Sequence, residues 1–479
     1  MQSTAFTTSS SPKAKNTCIH PPLRWTGAEQ NDIIIMNPKK ARMNEDLPLG
    51  GLHSSVLSKR KGERITMAIQ MAASHAASRR LKDAIFGANA ACRAAIAEHG
   101  AERVTNATIG AVMDDEGKLA HLPTVERVFR SLPIEDYIAY APISGLPEYL
   151  EAAIDITFAG NRPDGYLAAI ATAGGTGALR TAVDNYVEKG DQVLTSDWFW
   201  GTYNVICQEL GCSVTNFQLF DEANNFNHAA FSTAVDALFK KQDSLLIILN
   251  TPAHNPTGYS LSSEDWIHVL DCVKKHAAAG KKVHLLVDIA YIDFAGEKHE
   301  TRAFMQKFAN LPENILTLFA FSMSKAYTFY GQRCGALIAL SASKTVIDEF
   351  NEISKYAARA TWSNINRGAM TLLTRIQQDA AAYASYEAER DALYCLVQER
   401  GDIFMKEAAA CGLPALPYKG GFFLAIPAAD PQAVCDLLHE DLIFAVPLKM
   451  GVRIAACSVP STKMHGIAEK VKRAMDKMP

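Results

Sequence analysis

An α/β fold, with a mostly parallel mixed sheet sandwiched by helices and a smaller α+β domain beside it, is predicted by three observations. Between Tyr166 and Phe321, apolar runs of strand length alternate with helical stretches, the βαβ pattern of a parallel sheet covered on both faces. At 479 residues the chain is too long for one small core, so two domains are expected. Near the carboxyl end, Gly421–Pro427, Ile443–Val446 and Arg453–Cys457 read as short strands packed by helices, an α+β pattern.

The first strand, Tyr166–Thr172, is followed by Gly174-Gly-Thr-Gly177 and a helix expected over Ala178–Glu188. The next strands are Gln192–Thr195, Leu245–Asn250, His284–Asp288 and Ile315–Phe321. Ligands of such sheets collect at the carboxyl ends of the strands, so the residues just past each strand carry the functional information.

Composition narrows the field. The charged fraction is 21% and the net charge −3, which leaves no electrostatic footprint for nucleic acid or an anionic membrane surface. The longest apolar runs are of strand length and too short to span a membrane. Ten scattered cysteines, with no Cys-x-x-Cys pair and no zinc spacing, point to a reducing compartment and away from a structural metal. Residues 1–66 read as an extension, disordered or targeting: Met1–Leu23 is rich in Ser, Thr and Pro and acid-poor, yet short of arginine. A cytoplasmic location is expected, with a mitochondrial one as the alternative. Met67 is a possible alternative start.

Chemistry concentrates at the strand ends. Lys325 follows the run Ile315–Phe321, with Ser322 and Ser324 before it and Arg333 eight residues on. An amine there can form a Schiff base with an aldehyde cofactor, and hydroxyl and guanidinium neighbours can hold a phosphate. Gly174, Gly175 and Thr176 would let backbone N–H groups approach an anion at a helix N-terminus. A rival reading takes this turn and Asp197 as a dinucleotide fingerprint, although Gly-Gly-Thr-Gly lacks the usual spacing. Trp198, Phe199 and Trp200 could stack on a planar ring or form a core patch. Asn255, in turn chemistry after a strand, can hydrogen-bond a ring oxygen. Asp288 closes an apolar strand, where a carboxylate needs a partner. A protonated pyridine nitrogen is one such partner, and a helix cap is the plainer alternative.

In order, these segments resemble the aspartate and aromatic amino acid aminotransferases, the class I, fold-type I enzymes dependent on pyridoxal phosphate, over roughly Asp83–Ser458. Asn106–Gly110 with Asp114–Gly117 and Tyr140–Leu146 are similar to the family's amino-terminal signature. Gly174–Gly177 resembles its phosphate loop, Asn255-Pro-Thr-Gly258 and Asp288-Ile-Ala-Tyr291 its ring-binding motifs, and Ser322-Met-Ser-Lys325 with Arg333 its Schiff-base segment.

The resemblance implies a role for each residue. Lys325 would carry the cofactor and then move the substrate's α-proton. Asp288 would pair with the ring nitrogen, Asn255 and Tyr291 would bond the ring oxygen, and Trp200 would stack on the ring. Gly174, Gly175, Thr176, Ser322 and Arg333 would hold the phosphate, with Tyr140 reaching it from a neighbouring subunit. Gly110, Trp200 and Asn255 would border the substrate, and Arg453 would grip its α-carboxylate through a bidentate fork.

Arg359 falls where dicarboxylate-specific relatives place a side-chain-binding arginine from the other subunit. Trp362 and Ile365-Asn-Arg367 depart from the family's pattern there, and an aromatic-rich entrance would also admit Phe, Tyr or Trp.

The implied function is ping-pong transfer of an amino group from aspartate, glutamate or an aromatic amino acid to a 2-oxo acid, by a homodimer with shared active sites. A same-fold lyase and a non-enzymatic cofactor-binding regulator are the alternatives. The large cofactor-binding domain is expected over 139–349, and the small domain over 67–138 and 350–479.

Overall fold

The computed structural model describes residues 71–77, 79–81 and 84–478. The expected extension 1–66 and the alternative start Met67 lie outside the described residues. Before Arg80, the described part includes one short helix, Ser74–Ala77. The sheets, the cores and the site all belong to the unit that begins at Arg80.

The strands, in chain order, are β1 (Thr105–Asn106), β2 (Tyr166–Thr172), β3 (Gln192–Ser196), β4 (Ser213–Phe217), β5 (Ser244–Asn250), β6 (Lys282–Asp288), β7 (Ile315–Ser322), β8 (Gly335–Ser341), β9 (Phe423–Pro427), β10 (Ile443–Phe444), β11 (Val446–Leu448) and β12 (Gly451–Ala455). A seven-stranded sheet has the order β2-β8-β7-β6-β5-β3-β4. Within it β8 alone runs against the others, pairing antiparallel with both β2 and β7. The sheet is therefore mixed and mostly parallel, as expected.

The five strands anticipated in this sheet are present, and two more were not anticipated. β4, Ser-Val-Thr-Asn-Phe, is a largely exposed edge strand in which Phe217 alone is buried, with no apolar run to mark it. β8, Gly-Ala-Leu-Ile-Ala-Leu-Ser, is a short apolar run that periodicity alone cannot separate from helix.

Both faces of the sheet are buried, because alternate residues of the central strands point to opposite cores. Leu245, Ile247 and Leu249 join Val283, Leu285 and Val287 on one face, under the helices Pro147–Phe158, His228–Phe239 and Ser263–Ala278. Leu246, Ile248 and Leu286 pack on the other, against Gly174–Tyr186, Thr202–Leu210 and Lys344–Thr361.

Register aligns the strand ends at one edge of the sheet. Asn250 pairs with Asp288, Asp288 with Ala320, and Ser322 with Gly335. Toward the carboxyl end, β11, β12 and β9 form an antiparallel sheet that sets Arg453 opposite Ala425 and Val446. β10 pairs in parallel with β1, so the segment around Asn106 packs with the carboxyl-terminal elements. Among the described residues, no helix is long and apolar enough to cross a membrane.

Candidate active site

A cavity of about 300 Å³, at the lower end of the range for small-molecule sites, opens at the carboxyl ends of β5, β6 and β7. Each strand end supplies a polar group to its lining: Asn250 from β5, Asp288 from β6 and Ser322 from β7. Asn255 and Tyr291 reach it from the turns beyond β5 and β6, and Trp200 from the loop after β3. Arg453 enters from the middle of β12.

Lys325 lies on the single helical turn Met323–Ala326 that β7 runs into. Its Nζ donates to the Gly110 carbonyl at 2.7 Å and sits 5.0 Å from the centre of the Tyr330 ring. Burial is the largest cause that brings its pKa down, to about 8, and Arg333 and Arg453 push the same way. An amine tuned so near neutrality can serve as nucleophile or base.

Asp288 is buried and belongs to no ion pair among the described residues. Burial raises its pKa, and hydrogen bonds from the Tyr203 hydroxyl (2.6 Å) and the Ala290 N–H (3.2 Å) only partly oppose that. The bond from Ala290 is a local turn contact and not the helix cap weighed as an alternative, because the 3-10 turn Ile292–Phe294 that follows has Tyr291 at its N-cap and no side-chain cap, and the carboxylate borders the cavity. Asn255 donates from Nδ2 toward the Tyr291 hydroxyl at 3.5 Å, a long contact, so both present polar tips to the same space.

The helix Gly174–Tyr186 begins four residues before the expected Ala178, so the glycines form its first turn rather than a loop ahead of it. No side chain caps this N-terminus, which leaves its first N–H groups for a ligand. Gly175 and Thr176 line the cavity, whereas Gly174 packs behind, against Arg333. A Cβ on Gly174 would lie 2.8 Å from Arg333 Nη2, and its φ of +69° already favours glycine. Arg333 donates to Ser324 Oγ at 3.1 Å and to the Tyr330 carbonyl at 2.9 Å.

Arg453 donates to the Thr108 carbonyl at 2.8 Å, and its guanidinium lies 4.2 Å over the Phe423 ring. Gly110 leaves space beside that ring: a Cβ there would meet Phe423 at 2.9 Å.

Three expectations fare differently. Tyr140 is 89% exposed and lies outside the cavity of its own chain. Arg359, on the exposed face of Lys344–Thr361, also stands away from it and donates to Ser363 Oγ at 2.5 Å. Asp197, the supposed ribose-binding acid, instead accepts the Trp198 and Leu219 N–H groups at 2.9 and 3.0 Å and does not line the cavity.

Sequence reasoning missed Asn250, Tyr203 and Tyr330. Asn250 Nδ2 donates to the Asp288 carbonyl at 2.8 Å, and its Oδ1 accepts the Asn255 N–H at 2.6 Å, tying the end of β6 to the turn that carries Asn255. Tyr330 accepts the Val112 N–H at 2.9 Å and anchors the segment that carries Gly110. Tyr203 gave no signal in the sequence, since its contact is to Asp288, 85 positions along the chain.

The family model described as aminotransferase class I and II matches residues 103–471. The chain is 26% identical over 318 residues to an aspartate aminotransferase of Pseudomonas aeruginosa, covering 64% of this chain and 76% of that protein. To an aromatic-amino-acid aminotransferase of Escherichia coli it is 24% identical over 383 residues, covering 77% and 93%. Among solved structures, an aminotransferase from Anaerococcus prevotii superposes with a TM-score of 0.84 at 36% identity, covering 85% of this chain and all (100%) of that one. An aromatic-amino-acid aminotransferase from Burkholderia pseudomallei, covalently bound to pyridoxal phosphate, shares the fold at 22% identity and a TM-score of 0.69, covering 83% and 98%. The matched region holds the cavity from Gly110 to Arg453, and the chain belongs to the class I and II aminotransferases, pyridoxal-phosphate-dependent enzymes that transfer amino groups.

Proposed function

We propose that this cavity holds pyridoxal phosphate and moves the amino group of a dicarboxylic or aromatic amino acid to a 2-oxo acid. The observation that carries the reading is the pairing of a buried amine near pH 8, Lys325, with a buried and unpaired carboxylate, Asp288, across one cavity. The residues fit the cofactor: Lys325 for the aldehyde, Asp288 for the ring nitrogen, Asn255 and Tyr291 for the ring oxygen, and Trp200 for a ring face. Gly175, Thr176, Ser322 and Arg333 form the phosphate end, with Gly174 kept small behind Arg333.

When bound, the cofactor supplies an electron sink that eases loss of the substrate's α-proton. The chain's own groups do the rest. Arg453 grips the α-carboxylate and fixes which substrate face meets Lys325. Lys325 Nζ, uncharged above about pH 8, takes the proton from Cα and gives it back after transfer. The Gly110 carbonyl, at 2.7 Å, steers that amine.

Substrate choice is read from what the cavity lacks. Among the described residues its cations are Lys325, Arg333 and Arg453, all assigned above, and the remainder includes Ile85, Leu179, Tyr330 and Phe423. A second substrate carboxylate therefore needs a cation from elsewhere. Arg359 of a second copy would supply it, and Tyr140 of that copy would complete the phosphate end, which makes the working unit a homodimer. Their exposure in one chain supports this reading.

The test is an absorbance-monitored half-reaction with aspartate, glutamate, phenylalanine, tyrosine, tryptophan and alanine in parallel. Stoichiometric 2-oxo acid, with the amine form of the cofactor left on the protein, is expected. Arg359→Ala should raise KM for the dicarboxylates and leave the aromatic substrates unchanged. An active monomer in sedimentation would overturn the shared-site reading.

A further inference from the structure

Tyr203 touches two of the groups that face the ring from different directions. Its hydroxyl donates to Asp288 Oδ2 at 2.6 Å, and its ring meets Trp200 edge-on at 5.9 Å, with an interplanar angle of 83°. The same ring stacks on Phe199 at 6.3 Å. Tyr203 itself is 1% exposed, on the first turn of the helix Thr202–Leu210.

The other donor to the Asp288 carboxylate is backbone. Oδ1 accepts the Ala290 N–H at 3.2 Å, and the Asp288 main-chain carbonyl is held by Asn250. Among the described residues, Tyr203 is thus the side chain that hydrogen-bonds this carboxylate. A buried carboxylate without an ion pair needs donors both to remain ionised and to keep one orientation.

We infer that Tyr203 is the positioning residue of the site, holding the Asp288 carboxylate toward the ring nitrogen with its hydroxyl and the Trp200 indole toward the ring face with its edge. This rests on the reading that Asp288 pairs with the cofactor's ring nitrogen. The consequence is a link between the two contacts: one phenol sets both the strength of the ion pair and the plane in which the ring lies.

The decisive variant is Tyr203→Phe, which keeps the ring and its packing on Trp200 while removing the hydroxyl. Loss of a hydrogen bond to a charged group predicts cofactor binding weakened roughly 10- to 100-fold. A weaker ring-nitrogen pair leaves less positive charge on the ring, so the midpoint of the pH titration of the bound-cofactor absorbance should move upward. The acid limb of the kcat against pH profile should move upward as well, because Asp288 protonates more readily. Melting of the cofactor-free protein should change little. Tyr203→Leu removes the ring too, and should additionally quench or shift the Trp200 contribution to cofactor-induced circular dichroism.

An unchanged titration midpoint and cofactor affinity in Tyr203→Phe overturns the inference. Asp288→Asn separates the two failures. If Asp288→Asn shifts the absorbance titration and Tyr203→Phe does not, Tyr203 is only packing and the inference falls alone. If neither shifts it, the reading of Asp288 falls and takes the inference with it.

Discussion

Asp288 and Asp293 stand five residues apart, Asp288 buried and the Asp293 side chain only 8% exposed, and their surroundings drive them in opposite directions. For both, burial is the largest influence and acts to raise the pKa. At Asp293 two arginines override it. Arg302 pairs with Asp293 at 2.7 Å and Arg390 at 3.6 Å, and the carboxyl ends below its ordinary value. Lys298 and Glu387, paired at 2.6 Å, close the cluster on itself. At Asp288 only hydrogen bonds and the field of Lys325 oppose burial, and the pKa stays raised. Charges that cancel one another hold a fold together, whereas charges facing a cavity without partners are kept for a ligand.

Four variants would break or sharpen that contrast, and Lys325→Ala has the largest expected effect. Amino transfer should fall by roughly 10⁴-fold, the upper range for a lost acid–base group, and a variant with near-normal turnover would refute the assignment. Next, Asp288→Asn should lose roughly 10²-fold in kcat, a loss at the lower end of what a mispositioned or discharged catalytic group costs. The melting of its cofactor-free form should stay level or rise, since a costly buried carboxylate is gone. Stopped-flow half-reactions and calorimetry on one preparation report both.

Asp293→Ala should do the reverse. Breaking a buried pair costs about 3–5 kcal/mol, seen as a lower denaturant midpoint, while the absorbance titration of bound cofactor keeps its wild-type midpoint. Should Asp293→Ala move that midpoint and leave stability intact, the division between structural and ligand-facing charges is wrong.

The smallest effect is a pH dependence of stability without cofactor. Lys325 has a pKa of about 8 when folded and 10.5 as its ordinary value. Between these the unfolded chain binds the proton and the folded one does not, so stability rises with pH through that window. Below about pH 8 both states are charged and the folded one carries the full cost of burying the ammonium. Lys325→Met should therefore be the more stable protein there, by on the order of 3 kcal/mol, with the gap closing toward pH 10.5. Denaturant titrations of the two cofactor-free proteins at several pH values measure it, and a gap that is flat with pH would refute the depressed amine.

Much of the fold was legible because most of the five anticipated strands are apolar runs ended by turn residues. β4 and β8 were not: one is a polar edge, and the other is recognisable only once β2 and β7 flank it. The site was legible for a related reason. Gly175, Asn255, Asp288 and Lys325 each stand at or just beyond the end of a strand, and register brings those ends to one edge. Tyr203 was not, because its meaning lies in a contact to a residue 85 positions away. Arg302 and Arg390 also escaped notice, since an arginine in a helical stretch reads as a surface charge until its carboxylate is found.

The sequence by itself determined the order of strands and turns, and so which chemical groups could meet at the sheet edge. It also determined that an amine, a carboxylate, a glycine-rich helix start and a late arginine would be among them. Only the tertiary structure decided what each group is there. Asp288 and Asp293 are the same residue type in the same stretch of chain, but ionisation depends on the dielectric and on charges within a few ångströms. Arg390 beside Asp293, the phenol beside Asp288 and the carbonyl beside Lys325 come from distant parts of the chain, and folding alone sets those distances.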